Sequence, residues 1–190
     1  MLRKIIGIDL AYAKIVSSSQ GFRHWPCFVF RSFVADDNDQ VLDMITALHQ
    51  PPALDDSPEE IARNTQQNAR ITHALEHNGC RVIPAPAKKT PELNADGRCI
   101  LKRSDDQMLM IELALVCMKL RPDFLTLVAG DGDFAPLVAG LRREGIRTEV
   151  VADLDNLASS LRRVAYSVID VREMFANPEF SAAASGIEAA

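Results

Sequence analysis

At 190 residues the chain suits one domain with a sizeable core, and 47% hydrophobic with 25% charged residues is ordinary for a soluble globular protein. No apolar run approaches the roughly 18 residues that would span a bilayer, and the apolar part of Met1–Asp9 is too short for a signal peptide. A net charge of −5 argues against a general nucleic-acid coat protein, and four scattered cysteines (Cys27, Cys80, Cys99, Cys117) without a Cys-x-x-Cys pair read as reduced packing residues in a cytoplasmic protein rather than a zinc site or disulfide frame.

Lys4 to Asp9 reads as the first strand, nearly all apolar and ending on an acid. Cys27 to Val34 reads as a second strand, and Asp39 to Leu48 as a short helix stopped by Pro51-Pro52. Ser57-Pro-Glu-Glu opens a helix with Ser57 as cap, Pro58 in the first turn and Glu60 three residues on; Asn78-Gly79 ends it. Arg81 to Pro84 is a short strand. Ala85 to Arg103 has prolines, paired lysines and no periodicity, and reads as a long connection near the site. Lys88, Lys89, Arg98, Lys102 and Arg103 concentrate positive charge there, either as a basic rim or as solvated surface.

Ser104-Asp-Asp-Gln opens a helix whose apolar residues run through Leu109, Leu113, Val116 and Leu120. Phe124 to Ala129 reads as a strand buried on both faces, broken by Gly130-Asp131-Gly132-Asp133. An apolar series at helical spacing resumes with Phe134, Leu137, Val138 and Leu141, and Pro136 fits the first turn. Ile146 to Ala152 is another strand, Asn156 to Arg163 a helix and Tyr166 to Val171 a last extended piece. Residues 1–175 form one α/β domain with a mostly parallel sheet, and 176–190, Ala-rich from Phe180 on, form a flexible tail.

Acids stand at three strand ends or helix starts: Asp9, the pair Asp105 and Asp106, and Asp131 with Asp133. In a parallel sheet with right-handed crossovers these places share one edge, so acids about 120 residues apart in sequence can meet. Close carboxylates repel unless a cation sits between them, and magnesium or manganese takes oxygen ligands. Each acid also has a plain alternative. Asp9 suits a strand-end turn, Asp105 and Asp106 complement a helix dipole, and Asp133 could cap the helix after it. Glu112 is either a supporting acid or a half-buried surface residue. His73 and His77 lie four residues apart with no third ligand beside them, as solvent-facing histidines do.

The order strand-Asp, basic residue and Asp opening a helix, then strand-Gly-Asp-Gly-Asp-Phe-x-Pro-Leu resembles the NYN domain, a PIN-like ribonuclease family that includes the bacterial LabA-like proteins. Val128 to Leu137 carries its most diagnostic motif, Leu141 to Val151 and Asn156 to Asp170 look like its closing elements, and the resemblance covers roughly Arg3 to Val171. It implies a PIN-like, Rossmann-like three-layer domain that hydrolyses RNA phosphodiesters with magnesium or manganese held by Asp9, Asp106, Asp131 and Asp133. Arg103-Ser-Asp-Asp106 matches the family's helix start; shifting the alignment by one residue selects Lys102 and Asp105 instead. Lys102, Arg103, Lys88 and Lys89 are then candidates to grip the backbone of single-stranded or flexible RNA.

Two departures bear on activity. The acid often found near the family's last strand is replaced around Tyr166. The family also usually places Asn three residues after the first Asp, and this chain has Tyr12. That favours, as an alternative, a catalytically weak module that binds RNA or a regulatory protein. A haloacid-dehalogenase-type phosphatase is a further rival, but its nucleophile motif needs a second Asp where Ala11 stands. No membrane partner is expected, and Ala-rich and Leu-rich helices could pair two copies as a homodimer.

Overall fold

The computed structural model describes residues 1–35, 38–50, 57–93, 99–102 and 104–188, with backbone alone at 88–91, 93, 99–102, 187 and 188. Six parallel strands form one sheet: β1 (Arg3–Ile8), β2 (Gln40–Gln50), β3 (Arg81–Pro86), β6 (Phe124–Val128), β7 (Arg147–Ala152) and β8 (Ser167–Asp170). Between them in the chain, β4 (Lys88–Leu93) and β5 (Cys99–Lys102) make a separate antiparallel pair. The helices are α1 (Leu10–Ser19), α2 (Cys27–Val34), α3 (Pro58–His77), α4 (Asp105–Leu120), α5 (Ala135–Arg143), α6 (Ser159–Val164), α7 (Val171–Ala176) and α8 (Pro178–Glu188). The α/β class, the single domain and the parallel sheet expected from the sequence are all present. Among the described residues no helix is long and apolar enough to cross a membrane.

Strand order β3-β2-β1-β6-β7-β8 reverses direction at β1, so the chain winds outward from β1 to one side and from β6 to the other. Successive residues of β1 serve the two layers: Ile6 and Ile8 join Ala13 and Val16 of α1, Phe30 of α2 and Phe175 of α7. Ile5 joins Leu109 and Leu113 of α4, Val138 of α5 and Leu161 of α6. The three-layer arrangement follows from strands apolar on both faces.

Two segments exchange the element types expected of them. Cys27–Val34 is helix α2, not a strand: Cys27, Phe30 and Val34 are buried at helical spacing while Phe28, Arg31 and Ser32 face outward. Residues 39–48, expected as a helix, lie almost wholly in strand β2, clamped between β1 and β3 with Met44 to Ala47 buried. A short apolar run fits either period, and position in the sheet decides.

Residues 85–103, expected as an irregular connection, include the end of β3 and the β4–β5 pair, in which Lys88 opposes Lys102 and the register shifts between Lys89 and Leu93, around Pro91. Pro84 and Pro86 are tolerated because β3 is the outermost strand of the sheet. The helix expected from Asn156 begins instead at Ser159, because Asp153 accepts from the Asp155 amide (3.1 Å) and the Asn156 side chain (2.8 Å) and holds those residues in a turn. The start at Ser57 is as expected, with the reciprocal Ser57–Glu60 capping box formed.

Residues 178–188, read from the sequence as tail, form α8. Phe180 is buried beside Phe175 and Phe33, with ring centroids 5.2 Å apart in both pairs, and this extends an aromatic series through Trp25 and Phe30. Phe180→Ala is therefore expected to lower unfolding stability by about 3 kcal/mol, the scale of a buried Phe truncation, in urea denaturation of the full chain. A loss of only a few tenths would mean that α8 contributes nothing to the core.

Candidate active site at the carboxyl edge of the sheet

β1 and β6 are neighbours in register, with Ile8 opposite Val128. The next residue along β1 is Asp9, whose amide donates to the Val128 carbonyl (2.9 Å) and extends the ladder by one bond. The Asp9 carboxylate then caps α1, accepting from the amides of Ala11 (3.0 Å) and Tyr12 (3.1 Å). Only 9% of Asp9 is exposed. On the other side the Thr46 hydroxyl of β2 donates to the Ile8 carbonyl (2.7 Å).

Beyond β6, Asp131 accepts from the Asp133 amide (3.0 Å) and starts a single 3-10 turn, Gly132–Phe134, that leads into α5. Capping here thus falls to Asp131 rather than Asp133, and both carboxylates are exposed. Both glycines have close neighbours. A Cβ on Gly130 would stand 2.5 Å from the Tyr12 ring, and one on Gly132 would stand 2.5 Å from the Ser160 hydroxyl of α6. The Gly130 carbonyl also accepts from the Ala158 amide (2.9 Å).

α4 reaches the same edge. The Ser104 hydroxyl donates to the carbonyl of Pro86 (2.6 Å), which ties the helix start to the end of β3. Asp105 is buried and Asp106 half-buried. Glu112 lies elsewhere: it accepts from Arg81 (2.6 Å), at the opposite end of β3, and Arg81 also pairs with Asp43 (2.8 Å). His73 and His77 are exposed, as expected, with stacked rings. Cys27, Cys80 and Cys117 are buried free thiols, and burial pushes Cys117 up to about 12. Arg103 lies outside the described residues, as do the side chains of Lys88, Lys89 and Lys102.

The edge carries two further acids that the sequence reading did not select. Asp153 follows β7 and Asp170 ends β8, repeating the strand-then-Asp pattern of Asp9; that repetition was the available signal. Arg172, two residues into the following helix, pairs with Asp170 (2.9 Å), Asp155 (2.7 Å) and Asp153 (3.5 Å). The guanidinium holds the Asp170 carboxyl below its ordinary range. Tyr12 bridges the two halves of the edge, its hydroxyl accepting from the Asp153 amide (2.8 Å). Burial raises the Tyr12 pKa, and the charges of Asp153, Asp9 and Asp170 raise it further, so the phenol is neutral near pH 7.

Hard carboxylate oxygens are the donors that magnesium and manganese take, and these ions are commonly held by one or two carboxylates completed by water and substrate phosphate. Asp9, Asp131 and Asp133 suit that open mode in kind and in placement at adjacent strand ends. A closed cage is not formed: among the described residues no three Asp, Glu, His or Cys side chains group closely enough to hold an ion.

Two outcomes follow from this packing. Gly130→Ala should lower stability by about 1–3 kcal/mol, the usual range for overpacking, and most of that loss should vanish in a Tyr12→Asn background when the double-mutant cycle is read by urea unfolding. The Asp170–Arg172 pair lowers the folded pKa of Asp170 from its ordinary 3.8. Its stabilisation is therefore present above that value and lost as pH falls through the lowered one. Asp170→Asn should destabilise at neutral pH, and its deficit against the parent chain should shrink on acidification below about pH 4.

A sequence model of the NYN domain matches residues 37–173, which takes in Asp105, Asp106, Asp131 and Asp133 and leaves Asp9 and Tyr12 outside the match. Among solved structures, a protein of unknown function from Vibrio parahaemolyticus RIMD 2210633 is similar with a TM-score of 0.60 at 17% identity, over 88% of this chain and 91% of that one, a likeness of fold alone. No curated protein matches. NYN domains are generally nucleases of the PIN-like group. With the family match over most of its length, the chain belongs to the NYN domain family.

Proposed function

We propose that this chain is a metal-dependent ribonuclease that hydrolyses RNA phosphodiester bonds at the carboxyl edge of its sheet. The observation that carries this reading is the junction of β1 and β6, adjacent strands after which Asp9, directly, and Asp131, three residues on, each cap the turn or helix that follows. Asp9, Asp131, Asp133 and Asp106 would hold magnesium or manganese, with Asp105 as the alternative to Asp106. When bound, the ion supplies a water of lowered pKa and offsets charge on the phosphate. The chain's own residues supply position. Capping bonds tie one oxygen of Asp9 and of Asp131 to backbone amides, and Asp133 is exposed two residues after Asp131. Arg172 offsets one of the three negative charges carried by Asp153, Asp155 and Asp170. Lys88, Lys89, Lys102 and Arg103 would grip the RNA backbone; Lys88 and Lys102 occupy opposing positions in the β4–β5 pair. Single-stranded or flexible RNA suits an edge built of turns. A cytoplasmic location is part of this proposal.

Tyr12 favours a second reading. Its ring packs against Gly130, at the mouth of the junction, and a module that binds RNA without cutting it would tolerate that obstruction. Cleavage of labelled single-stranded RNA in manganese, magnesium or EDTA separates the two. The nuclease reading expects cutting in either metal, none in EDTA, and a loss of at least 100-fold, about 2.7 kcal/mol of barrier, in Asp131→Asn/Asp133→Asn. The Asp131→Asn change leaves a side-chain oxygen to accept from the residue 133 amide, so the turn survives. Metal-independent binding without cutting, with Tyr12→Asn restoring cleavage, would select the binding module instead.

A further inference from the structure

α4 is apolar almost all the way round, the pattern of a helix covered on every side rather than one resting on a domain surface. Its inner side is accounted for by Leu109, Leu113 and Cys117, buried against the sheet. Its outer side carries a second stripe, Ile111, Leu115 and Met118, exposed by 55%, 62% and 40%. Spacings of four and three residues place these side chains within about 60° of one another around the helix. A shallow groove lined by Glu112, Leu115, Val116, Lys119 and Leu120 of α4 with Asp43 and Arg81 lies on one flank of the stripe and meets it at Leu115.

The charges flanking the stripe are antisymmetric about its centre. Glu112 lies three residues before Leu115 and Lys119 four residues after it, on the same flank of the stripe. Arg81, anchored by Asp43, fixes the Glu112 carboxylate beside the groove. A second α4 laid antiparallel across Leu115 sets Glu112 of each copy beside Lys119 of the other. The helix dipoles oppose favourably in the same arrangement. A parallel pairing would set like charges together. Self-complementarity of this kind, in which residue i meets j while j meets i, is the requirement of a twofold contact.

We infer that the outer face of α4 is a homodimer interface, two copies packing antiparallel about Leu115 on a twofold axis. It is independent of the nuclease reading, since the stripe lies along the outside of α4 and includes none of the proposed ligands.

Sedimentation equilibrium of the full chain is the test. The parent chain is expected at dimer mass, and Leu115→Arg at monomer mass with unchanged circular dichroism, because residue 115 faces solvent in the single copy. Lys119→Glu should weaken the dimer by about 10-fold or more, since it sets two carboxylates together across the axis. Under mild oxidation Leu115→Cys should yield a disulfide-linked dimer on a non-reducing gel, whereas Ile111→Cys, displaced from its own mate by about 12 Å along the helix, should not. A parent chain that is monomeric at every concentration, or a dimer that survives Leu115→Arg, overturns the interface. A dimer that Leu115→Arg abolishes but Leu115→Cys does not cross-link overturns the antiparallel register.

Discussion

Four strands of this sheet, β1, β6, β7 and β8, lie side by side and run the same way, and each is closed or soon followed by an aspartate. Parallel pairing therefore gathers Asp9, Asp131, Asp153 and Asp170 along one edge, and their mutual repulsion is the constraint that the local structure answers. Backbone amides answer part of it: Asp9, Asp131 and Asp170 each accept from the turn or helix that follows. Arg172 answers part of the rest, drawing Asp153, Asp155 and Asp170 to one guanidinium. The edge is thus divided into a cross-linked half at β7–β8, where one cation offsets part of the charge of three acids, and an open half at β1–β6, where Asp131 and Asp133 remain exposed.

Tyr12 links the halves. Its ring lies where Gly130 leaves room, and its hydroxyl takes the amide of Asp153. The glycine and the tyrosine are one feature. Substituting either changes the fit of the other, and the ring sets how closely anything can approach the β1–β6 junction from that side.

How much of this was legible depended on how many signals coincided. Asp9 and Asp131 were readable because an apolar run, an acid and a helical pattern follow in order. The start of α3 was readable because Ser57, Pro58 and Glu60 satisfy cap, first turn and capping box together. α2 and β2 were not, because each is a short apolar run consistent with both periods, and only neighbours remote in sequence decide between them. α8 was hidden by its alanines and serines; Phe180 and Ala184, the two buried among its described side chains, give too little pattern on their own. Arg172 was legible as a charge but not as a bridge, since its partners lie 2, 17 and 19 residues away and meet it only in the folded sheet.

The prolines of β3 have an effect beyond being tolerated. The Ala87 amide points inward to Gln50 of β2, so by the alternation of a strand the backbone nitrogens of residues 84 and 86 face outward. Both are proline and carry no hydrogen. A foreign strand approaching that side of the sheet meets carbonyls without donors at two successive outward positions and cannot complete a ladder. The outermost strand on the β3 side is thus chemically closed to strand addition, a built-in safeguard against edge-to-edge aggregation.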